Sequence, residues 1–217
     1  MRQWLGVAKA ALGWLYPERC ELCGRIGRPA ICADCLQELS RQERPVERSV
    51  VGSPLDLTAC IYAFDGRAAR AVRNLKYRRA TALATPMAQL VQEAYVTIGL
   101  PEFDAVVPVP IHWTRAYRRG FNQSELLCEA LPRELVFPRY LTRVRSTRPQ
   151  VGLSREERLT NLRGAFRADP ACAGLSVLLV DDVVTTGGTA TACAEALKEA
   201  GARYAGILAF CGESVED

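Results

Sequence analysis

From Leu55 onward, short apolar runs alternate with longer amphipathic stretches. Residues 57–64, 103–109, 175–180 and 204–210 are dominated by apolar side chains and read as strands, with a further short strand at 140–144. Between them, residues 67–77, 85–96, 122–131, 154–162 and 188–200 carry the helical period. Punctuation agrees with this reading. Ser154 and Glu157 form a capping-box pattern, Pro132 stops the helix before it, and Gly201 stands where a C-terminal cap glycine belongs. The alternation predicts an α/β domain over residues 55–217, built on a mainly parallel sheet flanked by helices.

Upstream the pattern changes. Residues 1–40 form a small cysteine-bearing unit, and 41–54, with Pro45, Gly52 and Pro54, read as a linker. Trp4, Val7, Ala8, Ala11, Leu12 and Leu15 recur at helical spacing. Lys9 interrupts that run and no small-residue cleavage site follows before Pro17, so a signal peptide is disfavoured. An amphipathic helix packed on its own protein or on a partner fits; a helix lying on a membrane surface is the other reading. No apolar stretch reaches the roughly 18 residues of a membrane span.

Composition sharpens the picture in three places. With 217 residues, 49% of them hydrophobic, the chain can bury a core without cross-links. Its nine cysteines are four clustered and five scattered, which is no secreted disulfide framework. The five read as small buried apolar groups in a reducing, cytoplasmic compartment. A single histidine, His112, excludes chemistry that needs two. Net charge is only +4, but lysine occurs at just Lys9, Lys76 and Lys198, so nearly all the positive charge is arginine. Arginine forks bind phosphate in a bidentate manner; a GC-rich coding bias is the plain alternative, though it does not explain clustering.

Candidate chemistry concentrates at Asp181-Asp182-Val183-Val184-Thr185-Thr186-Gly187-Gly188-Thr189. A buried strand reaches two carboxylates, turns through Thr and Gly, and enters a helix. Backbone N–H groups in such a turn, with the positive end of the helix dipole, cradle a phosphate. The adjacent acids would repel one another unless hydroxyls or a cation satisfied them. No lysine follows the glycines, so this is not a Walker loop. The bland alternative is a tight turn with solvated acids.

Arginines gather in two further places. Val109 and Pro110 end a strand and lead to Arg115, Arg118 and Arg119, read here as a turn just ahead of a helix starting near Asn122. Arg143, Arg145, Arg148, Gln150, Arg155 and Arg158 form a polar, Gly/Pro-containing block that reads as a mobile loop able to close over phosphates. Solvated surface is the alternative for both. A third basic set, Arg67, Arg70, Arg73 and Lys76, is spaced by three, with Arg78 and Arg79 beyond. That stripe could track a phosphate backbone, with Phe64 and Tyr77 stacking on bases. An ordinary solvated face, or a contribution to a diphosphate pocket, is equally compatible.

The clustered cysteines, Cys20, Cys23, Cys32 and Cys35, follow a C-x2-C-x8-C-x2-C pattern that suits tetrahedral zinc with a structural role. Redox dithiols or unligated thiols are the alternatives.

The Asp-Asp-Thr-Thr-Gly-Gly-Thr stretch resembles the phosphoribosyl diphosphate (PRPP) signature of type I phosphoribosyltransferases. Together, VPVP, RRGFNQ, TRPQ, LSREERLTNLRGAF and DDVVTTGGT resemble the ComF family, a competence-protein branch of phosphoribosyltransferase-like proteins. The resemblance implies a type I phosphoribosyltransferase fold with an N-terminal four-cysteine zinc finger. It implies that Asp181 and Asp182 meet the ribose hydroxyls and that Val184 to Thr189 hold the 5-phosphate. By analogy, Val109 to Arg119 meet the diphosphate of PRPP–Mg²⁺. It also implies a role with single-stranded DNA and DNA-uptake proteins, at the inner face of the membrane. Two functions stay open at this point: a binding protein of that kind, or an active transferase with an unidentified acceptor.

Overall fold

The structure, a computed structural model, describes residues 18–42, 47–48, 53–147 and 161–213. The expected N-terminal helix lies outside the described residues, as does the 154–162 helix except for Asn161 and Leu162, which are helical.

Five strands form one sheet. Four are parallel: β2 (Leu57–Ala63), β3 (Ala105–Pro108), β6 (Ser176–Val184) and β7 (Tyr204–Gly212). The fifth, β1 (Glu47–Arg48), runs antiparallel to β2, and the order across the sheet is β1-β2-β7-β6-β3. Within the segment 41–54, read as a linker, the backbone of residues 47–48 extends the sheet edge by pairing with Leu57 and Thr58. A two-residue strand is too short to show a period.

The central runs of the parallel strands are apolar because both faces of the sheet are covered. On β6, Leu178 and Val180 enter the core beneath α2 (Gly66–Tyr77) and α3 (Ala84–Thr97), while Val177 and Leu179 enter the core beneath α6 (Gly188–Glu199). Helix α2 starts where the Asp65 carboxylate accepts from the Gly66 N–H, 2.6 Å, and it buries Ala68, Ala71, Val72 and Leu75 at helical spacing. Helix α6 buries Ala190, Cys193, Ala194 and Leu197 in the same way. Gly201 adopts φ +90 just past its end, the left-handed stop that a glycine there predicts. The doubly covered parallel sheet is the expected α/β architecture.

Three boundaries differ from the sequence expectation. Strand β6 continues through the two acids to Val184. The helix expected over 122–131 is only α5 (Gln123–Leu127). The arginine-rich segment is itself a helix, α4 (Trp113–Arg119), so Arg118 and Arg119 sit in its last turn rather than ahead of the next helix. His112 caps its start and Gly120, at φ +88, ends it. A two-stranded antiparallel ribbon, β4 (Leu141–Arg143) with β5 (Phe166–Ala168), adds Leu141 and Phe166 to the α6 side of the core.

The cysteine unit is no separate body. Its short helix α1 (Ala33–Ser40) and its residues Leu22 and Leu39 share one core with α2.

Candidate functional site: an arginine-lined cleft and a cysteine knuckle

A cleft of about 740 Å³ opens at the carboxyl ends of β3 and β6, where ligands bind in parallel α/β sheets. Four distant segments build it. The end of α2 supplies Lys76, Tyr77 and Arg79; the segment from the end of β3 to the start of α5 supplies Val109, Pro110, Ile111, Arg115, Arg118, Arg119 and Gln123; β4 and its sequel supply Arg143 and Thr147; β6 and the start of α6 supply Asp181 to Thr185 and Gly187 to Ala190. The lining holds six cationic side chains against two carboxylates.

The acids are held in place. Asp181 Oδ1 accepts from Ser124 Oγ at 2.9 Å and from the Asp182 N–H at 2.8 Å. Asp182 Oδ1 meets Lys76 Nζ at 2.9 Å, with 5% of the Asp182 side chain exposed. Burial, and then the neighbouring Asp182, push the Asp181 carboxyl up to about 7. Burial disfavours the charge on Lys76, yet Asp182 and Asp181 together hold its pKa above the usual lysine value. With Lys76 paired to Asp182, the five arginines of the lining give the cleft its sign.

Three buried polar atoms in this structure have no partner among the described residues: Gln123 Nε2, Arg143 Nε and Asp182 Oδ2. All three side chains line the cleft. Unpaired buried donors and acceptors cost about 1–3 kcal/mol each, so their convergence on one cavity points to a ligand. Two donors ask for an anion; the acceptor asks for a hydroxyl or a cation. Burial also lowers the pKa of Arg119 and of Arg143, each with Arg115 nearby as a like charge. An anion would relieve both.

The turn after β6 is shaped for one. Gly187 takes φ +74 as the N-cap of the twelve-residue α6. A Cβ there would meet nothing within 4 Å, so packing does not demand the glycine; the left-handed turn does. Thr186 is exposed beside the lining rather than part of it.

The remaining predicted residues divide. Arg145 braces its own loop, donating to the carbonyls of Asn161 and Arg163 at 3.0 and 2.7 Å. Arg148, Gln150, Arg155 and Arg158 lie outside the described residues. The α2 stripe does not act as one surface. Arg67 meets Glu38 at 2.6 Å, and Arg67 and Arg70 both donate to the Leu22 carbonyl, at 2.9 and 2.8 Å. Arg73 lies over the Phe64 ring at 5.5 Å, Lys76 and Arg79 line the cleft, and Arg78 is exposed. Ser124 and Thr147 were not singled out in the sequence; neither residue type carries a signal until its neighbour in space is known. Helix α4 did have one, since Gly120 marks a helix end.

The Cys20, Cys23, Cys32 and Cys35 sulfurs all lie within 4.8 Å of one another. Cys20 Sγ is 3.7 Å from Cys35 Sγ, and Cys23 Sγ is 3.8 Å from Cys32 Sγ. A tetrahedron with zinc–sulfur bonds of about 2.3 Å has edges of about 3.8 Å, so the thiols fit one zinc ion. Burial raises the Cys20 thiol, but N–H groups of Cys32, Cys23 and Leu22 outweigh it and hold the pKa at about 6. A thiolate is thus available before any metal binds.

Comparison with known proteins now bears on both sites. The phosphoribosyl transferase domain family matches residues 122–216, and the double zinc ribbon domain family matches residues 11–56. That second span holds four cysteines and no histidine, enough for one ion. A DNA utilization protein YhgH of Salmonella typhi is 36% identical over 206 residues, covering 89% of this chain and 85% of that protein. Competence protein F of Haemophilus influenzae is 39% identical over 110 residues, 48% of this chain and 47% of that protein. Competence protein ComFC of Bacillus subtilis is 26% identical over 194 residues, 88% and 75% of the two chains. The chain belongs to the ComF family of phosphoribosyltransferase-like proteins. This ComF-family chain thus has the phosphoribosyltransferase-type domain and the zinc-ribbon unit that its motifs led one to expect.

Proposed function

We propose that the cleft binds PRPP with magnesium and that the protein, in the cytoplasm, handles single-stranded DNA during DNA uptake. The observation that carries the ligand half is the convergence of unpaired Gln123 and Arg143 donors and an unpaired Asp182 oxygen on one cavity. PRPP offers all the complements: phosphate oxygens for the donors, a ribose diol for the acids. The 5-phosphate would sit on the Thr185–Thr189 turn and the diphosphate among Arg115, Arg118 and Arg119. Magnesium fits an oxygen donor set of this kind, bound through a carboxylate and substrate phosphates. It would neutralise diphosphate charge, and the unpaired Asp182 Oδ2 would meet it or its water. The DNA half is supported by the relatives named for DNA utilization and competence.

A second reading is favoured by the phosphoribosyl transferase domain match. An acceptor nucleophile would form a bond to the ribose anomeric carbon as the bond to diphosphate breaks, with the arginines taking up the departing charge.

Titration calorimetry with PRPP and Mg²⁺ tests the cleft. The wild type is expected to give a saturable heat that Asp181→Asn/Asp182→Asn loses; equal heats in both would remove the site. Diphosphate release across nucleobases and amines tests the second reading, and release with none of them leaves binding alone.

A further inference from the structure

Residues 66–92 and 105–124 contain no acidic residue. The fold brings them together: Arg79 Nη2 donates to the Arg118 carbonyl at 2.7 Å, tying the end of α2 to the end of α4. Two of the α2 cations are neutralised internally, Arg67 by Glu38 and Lys76 by Asp182. Arg70, Arg73, Arg78 and Arg79 are exposed and meet no carboxylate among the described residues.

Helix α4 buries none of its residues. One side turns Arg115, Arg118 and Arg119 into the cleft. Trp113 and Tyr117, four residues apart, share the other side and are 70% and 87% exposed. Tyr77, 75% exposed, lies at the rim with the Arg119 guanidinium 5.9 Å over its ring. These three are the large exposed aromatic side chains among the described residues, and all lie on the two acid-free segments that the Arg79–Arg118 bond joins. A single exposed aromatic is ordinary. Three among unneutralised arginines form a stacking platform for unpaired bases with cations for the linking phosphates.

We propose that the outer side of α4 and the end of α2 dock single-stranded DNA, and that the strand shares the α4 arginines with the cleft, so that a strand and a diphosphate ligand exclude one another. The proposal rests on the strand-handling reading above and adds its surface and its regulation. Charge complementarity selects a polyanion over an apolar peptide, and exposed rings select unpaired bases over a duplex. Lys76 and Arg67, part of the stripe expected from sequence, leave the surface; Trp113 and Tyr117 join it.

The test uses the full-length protein and labelled oligo-dT in fluorescence anisotropy, with PRPP calorimetry alongside. Trp113→Ala/Tyr117→Ala is expected to weaken strand binding at least about tenfold, with an unchanged thermal melt and unchanged PRPP heat. Saturating PRPP–Mg²⁺ is expected to weaken wild-type strand binding several-fold. Wild-type strand binding that the double variant leaves intact would overturn the surface while sparing the strand-handling reading. No strand binding by the wild type would end both. Strand affinity indifferent to PRPP would overturn the sharing, and duplex bound as tightly as oligo-dT would overturn the stacking. If the double variant instead turned a dimer into a monomer with strand binding intact, the surface would belong to a second copy of the chain.

Discussion

The knuckle and the cleft face one physical problem and solve it differently. Each crowds groups that repel when ionised: four thiols in one, two carboxylates in the other. The knuckle gathers its groups from sixteen consecutive residues, and its geometry is closed around the space for one ion. The cleft gathers its groups from segments more than a hundred residues apart and relieves the acids from within, by Lys76 and by a proton on Asp181. A site closed on itself stabilises the fold. A site that neutralises its acids but leaves arginines, an amide and a carboxylate oxygen unanswered is built for something that arrives and leaves.

Removing metal should break the contrast most severely. Apparent zinc-binding free energies in zinc-finger peptides run to about 10–16 kcal/mol, and that energy is folding energy. Metal analysis should give one zinc per chain, and its removal by chelator should unfold the knuckle. Because Arg67, Arg70 and Asn74 of α2 hold the knuckle's Leu22 and Glu21 carbonyls, amide exchange along α2 should rise with it. A melt indifferent to chelator would show that thiol packing alone folds the unit. The next largest effect belongs to Lys76→Met. Deleting one partner of a buried pair costs about 3–5 kcal/mol, because the other charge is left unpaired. Denaturant melts should show that loss, and Lys76→Met/Asp182→Asn should recover most of it. A double variant as weak as the single would mean that Lys76 matters for packing and not for charge.

The same contrast explains what was legible. Four cysteines in a spaced run suggest their chemistry without a fold, and the strand, acids and glycines of 177–189 form an equally local pattern. The turn after β6 and the sheet were readable because their signals are periodic or contiguous. Lys76 was readable only as one cation in a stripe, since its partner Asp182 is 106 positions away. Arg118 and Arg119 were read into a turn because three arginines obscure the short period of α4, although Gly120 marks its end. Ser124 has no pattern at all; its hydroxyl matters because the fold sets Asp181 2.9 Å away.

The smallest predicted effect separates the two sites by pH. Asp181 ionises near 7 in the folded protein against an ordinary 3.8, chiefly because it is buried and then because Asp182 is its neighbour. Lys76, the Asp182 N–H and Ser124 oppose the shift without cancelling it, and Arg143 and Cys193 also interact electrostatically with Asp181. Between about pH 4 and 7 the folded chain keeps a proton that the unfolded chain has released, so stability falls as pH rises through that window. Above 7 the acid is charged in both states and the folded state bears the full burial cost. Asp181→Asn should therefore match the wild type near pH 4 and exceed it at pH 8. It should also flatten the slope between those values, while losing PRPP binding. Stability gained with binding lost would mark Asp181 as held in place for its ligand. A variant less stable than the wild type at pH 8 would instead make the ionised carboxylate a structural acceptor for Ser124, and the cleft would then resemble the knuckle, a site closed for the sake of the fold.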